Sequence, residues 1–102
     1  MKKILLILLS LISTQCLADY EQDMTALQKG MPSSVSKFID RQVMCNHWSG
    51  EEPYDKERLQ EINAAADRLK CNDLNKDEIK LKKRYKSKPN IIKRINKAKE
   101  FY

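Results

Sequence analysis

Residues that punctuate or bend a polypeptide are scarce in this sequence: its 102 positions hold two glycines, three prolines and one histidine. Each shortage excludes something. With Gly30 and Gly50 standing alone, no glycine-rich loop can cradle a phosphate, and apolar β-branched residues never alternate with polar ones as a half-buried strand requires. A lone histidine without a Met-rich motif argues against copper carriage, and no serine sits in a nucleophile-elbow context. No internal repeat or low-complexity tract occurs. What is present is a chain with 33% charged residues, in which apolar positions recur every three or four residues. That pattern reads as all-helical.

The longest apolar run, ILLILLSLIS at residues 4–13, is about half the roughly 20 residues that a membrane span needs. It follows Met1-Lys2-Lys3 and precedes Thr14-Gln15-Cys16-Leu17-Ala18, the three-part layout of a secretory signal peptide. Cleavage after Ala18 is expected, with Cys16 and Ala18 as the small residues before the cut. Lipid anchoring at Cys16 is the less favoured alternative, because the bulky Gln15 sits where a lipoprotein signal wants a small residue. The expected mature chain begins at Asp19 and has 84 residues, 102 less 18. Periplasmic or secreted localisation follows, with no transmembrane span in the mature chain. We read one helical domain over residues 19–102, of which residues 19–32 form a short helix or flexible arm.

Cleavage also changes the cysteine count from three to two. In an oxidising compartment Cys45 and Cys71 are expected to pair, closing a loop of 26 residues for about 3.5 kcal/mol of stabilisation by the loop-entropy argument. A chain this short buries a modest core and gains much from such a staple. The expected architecture is a bundle of three to four helices held by one disulfide. The first firm helix should start near Ser33 or Ser34, either able to cap it, and reach about Asn46 with Val35, Phe38, Ile39 and Val43 in the core. A second, over roughly 54–70, has Asp55 as its cap, Leu59, Ile62, Ala66 and Leu69 inside, and Glu57, Arg58, Glu61 and Arg68 outside. Asn75 and Glu78 have capping-box spacing for a third helix to about Lys86, with Leu74, Leu81 and Tyr85 inward. Pro89 suits the first turn of a fourth, whose apolar side is Ile91, Ile92, Ile95, Ala98 and Tyr102.

Between the first two helices lies CNHWSGEEPYD, residues 45–55, with the only histidine and the only tryptophan. Cys45, His47, Glu51 and Cys71 are acceptable zinc ligands by type. However, the paired close spacing of a structural zinc site is missing, and export favours oxidised sulfur. No metal and no cofactor are expected. Catalysis is disfavoured too: Glu51 and Glu52 are sequence neighbours pointing apart, whereas glycoside hydrolysis needs carboxyls facing each other at about 5 to 10 Å. A small helical chain also offers little concave volume. The segment reads best as a corner: Trp48 covers the end of the core with its indole N–H on a carbonyl or water, His47 meets Glu51 or Asp55, Glu51 and Glu52 pair with Arg58 or the basic end, and Tyr54 packs on Pro53.

The run CNHWSGEEPYDKERLQEI, followed by Cys71 and a Lys/Arg-rich stretch, resembles a group of small exported proteins of Gram-negative bacteria with a Cys-Asn/Asp-His-aromatic-x-Gly-Glu-Glu signature. The resemblance spans roughly residues 38–95. It implies a compartment rather than an activity, and it implies that Cys45, His47, Trp48, Gly50, Glu51, Asp55, Arg58 and Cys71 act together.

Charge points to partners. Residues 19–78 carry 8 basic and 13 acidic side chains, net −5, whereas residues 79–102 carry 10 basic and one acidic, net +9. The basic end, Lys80, Lys82, Lys83, Arg84, Lys86, Lys88, Lys93, Arg94, Lys97 and Lys99, is an expected surface for an acidic protein or an anionic envelope component. The expected role is a non-enzymatic exported binding protein. The alternative is an inhibitor or immunity-type protein that uses the 45–55 loop, with Trp48 as anchor and His47, Glu51, Glu52, Asp55 and Arg58 around it. Nucleic acid is disfavoured because export separates the chain from it.

Overall fold

The computed structural model describes residues 21–101. The expected leader 1–18, its cleavage site, Cys16 and the apolar role given to Tyr102 lie outside the described residues. Residues 21–28 are helical (α1), followed by α2 (Ser33–Ser49), α3 (Lys56–Leu69), a 3-10 turn (Cys71–Asp73), α4 (Leu74–Arg84) and α5 (Pro89–Glu100). The described residues contain no strand. The chain is the disulfide-stapled helical bundle expected, with five helices rather than three or four.

The fifth helix, α1, is the short helix that is one of the two expectations for residues 19–32. Leu27 is buried in the common core, with Met24 and Met31 packed against it. Gly30, at a φ of 74°, then takes the left-handed backbone that ends α1, a conformation glycine adopts without steric cost. The Arg94 guanidinium donates to the carbonyls of Ala26 and Leu27, so α5 holds the last turn of α1.

Helix α2 is the centre against which α3, α4 and α5 pack. Val35, Phe38, Ile39 and Val43 are all buried, as their spacing predicts, and they meet Leu74, Leu81, Ile91, Ile95 and Ala98. Three expectations of detail fail. Neither Ser33 nor Ser34 caps α2, because Pro32 is the N-cap and no side chain bonds the first turn. Asn75 does not open α4, because a 3-10 turn after Cys71 starts the helix one residue earlier and frees Glu78 to face inward. The packed face of α3 is also rotated. Leu59 is 44% exposed, and Ala65 is the residue buried instead of Ala66. Arg58, expected outside, is only partly exposed and lies over Trp48. Alanines at 64, 65 and 66 allow close approach at several rotations, so the disulfide and the Arg58 contact decide the facing.

Glu78 is the one buried charged side chain among the described residues, 7% exposed. Its Oε2 lies 2.9 Å from Lys82 Nζ and 3.2 Å from Lys99 Nζ, so it ties α4 to α5. Burial pushes its carboxyl up, but the hydrogen bonds from Lys82 and Lys99 outweigh that and hold it below the ordinary glutamate value. A carboxylate lowered by folding stabilises fully above its unfolded value and loses that contribution as pH falls through the folded one. Urea midpoints of the protein and of Glu78→Gln should therefore differ by a constant amount above about pH 5 and draw together as pH falls through the lowered folded value. A gap that persists to pH 2 would mean that the ion pairs are not its source.

Candidate functional site

The corner forms because α2 ends and α3 begins within seven residues. Gly50 closes α2 by donating to the carbonyls of Asn46 and His47. At a φ of −83°, and with room for a Cβ that would meet those two oxygens only at 3.5 and 3.6 Å, the position does not require glycine. Asp55 caps α3 as expected, its side chain accepting from the Arg58 backbone N–H at 2.7 Å. Lys70, at a φ of 54°, ends α3 in left-handed backbone and turns the chain so that Cys71 meets Cys45. Their Cα atoms are 5.7 Å apart and the disulfide is formed. Both sulfurs are taken up by that bond, so neither is a thiolate ligand. Among the described residues no group of three or more His, Cys, Asp or Glu is placed to hold a metal ion.

Most of the residues singled out in this segment do converge, and Arg58 is what gathers them. Its guanidinium carbon is 5.2 Å from the centroid of the Trp48 ring, a cation–π distance. Nη2 lies 3.2 Å from Glu51 Oε2 and Nη1 lies 2.7 Å from Glu61 Oε2. Hydrogen bonds to Glu61 and Glu51 raise its pKa further above an already high value, so it stays charged. His47 Nε2 stands 3.6 Å from Glu51 Oε1, and its ring meets Trp48 edge-on at 5.5 Å. Among the described residues Trp48 Nε1 and Arg58 Nε are buried and have no protein hydrogen-bond partner. Glu52 is exposed. Tyr54 is 81% exposed, too far into solvent to be packed on Pro53 as expected. His47, Trp48, Glu51 and Arg58 spend their aromatic and charged groups on one another.

Asn46 and Arg41 are missed by the sequence reading. Asn46 Nδ2 donates to the carbonyls of Ala98 and Phe101, both at 3.0 Å, and tethers the end of α5. Arg41 donates to the carbonyls of Leu69 and Lys70, each at 3.0 Å, and to Asp77 at 2.8 Å. Polar residues on a mostly buried helix carry a weak signal of such roles: Arg41 and Asn46 both border the apolar stripe of α2.

The basic set divides. Lys82 and Lys99 are engaged by Glu78, Lys82 also donates to Asn96, and Arg94 holds α1. Lys80, Lys83, Arg84, Lys86, Lys88, Lys93 and Lys97 are exposed and make no ion pair among the described residues. Helix α2 adds two cations: Lys37 and Arg41 face Lys80 and Arg84 across a groove of about 250 Å³ that is floored by Phe38 and Leu81 and also lined by Ser34 and Asp77. No helix among the described residues is long and apolar enough to cross a membrane. No family model, curated protein or solved structure matches this chain.

Proposed function

We propose that this chain is a non-enzymatic exported binding protein whose basic C-terminal half holds an anionic envelope component or an acidic protein. The observation that carries this reading is the set of seven exposed basic residues on α4, α5 and their connection that fold stability does not use. Three other cations of the same region are consumed internally, so the exposed seven are not a by-product of pairing needs. The disulfide supports export, since such bonds persist in oxidising compartments. The 45–55 loop supports an inhibitor role less well: Trp48 lies under Arg58, Glu51 is taken by Arg58, and only Glu52 and Tyr54 project freely enough to anchor a partner.

Retention on heparin or on an anionic membrane surface at low salt tests the reading. Replacing Lys80, Lys83, Lys93 and Lys97 together with Gln should abolish it, and retention of the unaltered protein should fall steeply as salt rises, because exposed charges are screened over about 10 Å at 0.1 M. Unchanged retention of the fourfold variant would overturn the proposal.

A further inference from the structure

We propose that the groove between α2 and α4 is a headgroup site that takes the phosphate of an anionic lipid. The proposal rests on the anion-binding reading above and gives it a location and a ligand chemistry.

Two contacts set the groove's register. Ser34 Oγ and Tyr85 Oη are 3.4 Å apart at one end, and Arg41 meets Asp77 at the other. The helices therefore run antiparallel, and the stretch between the contacts is about 10 Å long at 1.5 Å per residue. Along it, Lys37 and Arg41 stand four residues apart on one wall, and Lys80 and Arg84 four apart on the other. Like charges at that spacing repel within each helix, and here the repulsion is doubled across the gap. Asp77 is the one carboxylate in the lining, and Arg41 already holds it. Lys37, Lys80 and Arg84 are left with no ion pair or hydrogen bond among the described residues, around a floor of Phe38 and Leu81 that contributes no countercharge.

A merely solvated helix face spreads its lysines apart. Three unpaired cations, Lys37, Lys80 and Arg84, on facing walls form a site whose empty state is repulsive and whose occupied state is not. The fork of Arg84 suits phosphate geometrically, and the lysines add point charges. At about 250 Å³ the groove admits a headgroup and not a folded polymer chain.

The experiment is co-sedimentation of the full chain with vesicles of phosphatidylglycerol mixed with phosphatidylcholine, at low salt, paired with amide chemical-shift titration by inorganic phosphate. The variant Lys37→Gln/Arg84→Gln should bind the vesicles about 25-fold more weakly, at roughly fivefold per basic residue near the surface. Lys93→Gln/Lys97→Gln removes the same charge from α5 and should cost less than about threefold. Thermal melts of both pairs should be no lower than that of the unaltered protein, since none of these side chains holds the fold. Equal losses from the two charge pairs would overturn the groove while sparing the basic-surface reading, and absence of binding by the unaltered protein would sink both. Phosphate shifts at residues 34–41 and 77–84 without vesicle binding would overturn the lipid as the source.

Discussion

Reduction of the Cys45–Cys71 bond should lower the free energy of unfolding by about 3.5 kcal/mol, the loop-entropy value for a 26-residue separation. Small domains are stable by only about 5 to 15 kcal/mol, so a loss of this size moves a urea midpoint by about 1 to 3.5 M at slopes of about 1 to 3 kcal/mol per M. Trp48 is the only tryptophan and lies three residues from Cys45, so its fluorescence reports the transition without a label. The loss should not fall evenly. Helix α3 packs on α2 and the adjoining 3-10 turn, and Ala65 is its one buried residue. With the bond open, amide exchange in α3 should accelerate far more than in α2 or α5, which pack on each other and place Ile39, Val43, Ile95 and Ala98 in the buried core. Equal midpoints with and without reductant would show that packing alone fixes α3.

The apolar layout of α2 and α5 was legible because each has a stripe of large side chains with no rival phase. Val35, Phe38, Ile39 and Val43 can share only one face, and so can Ile91, Ile95 and Ala98. Helix α3 lacks that determinacy. Its one buried residue, Ala65, is the middle of three alanines, and Leu59, which the spacing places inside, is 44% exposed. A stripe read from such residues is uncertain by one position, and in the fold a cation–π contact and a disulfide, neither of them a periodic feature, choose the position. The termini show the same thing. The spacing of Asn75 and Glu78 fits a capping box, but Glu78 gains two ammonium partners by turning inward, and a backbone 3-10 turn does the starting. In the basic segment composition shows ten cations, and only the folded arrangement separates those that brace α1 and α5 from those that face outward.

Arg41→Met should cost about 3 kcal/mol although the side chain it truncates is partly exposed. Arg41 uses all three guanidinium nitrogens, on two terminal carbonyls of α3 and on Asp77 of α4, and hydrogen bonds from a charged donor contribute about 1.5 to 3 kcal/mol each with incomplete additivity. Methionine keeps the apolar stem, so the loss isolates the polar head. The ion pair is the smaller part. With side-chain exposures of 29% and 36% it resembles surface pairs worth about 0.2 to 1 kcal/mol, and Asp77→Asn should cost no more than that. Arg41→Lys separates charge from shape, because an ammonium can reach Asp77 but cannot fork onto the Leu69 and Lys70 carbonyls together, and it should recover less than half of the loss. Full recovery by lysine would reduce Arg41 to a charge. Leu69 and Lys70 immediately precede Cys71, so the guanidinium and the disulfide act on the same turn. Measured together, Arg41→Met and reduction should couple: once either fastener is gone the end of α3 is loose, and removing the other costs less than it does alone.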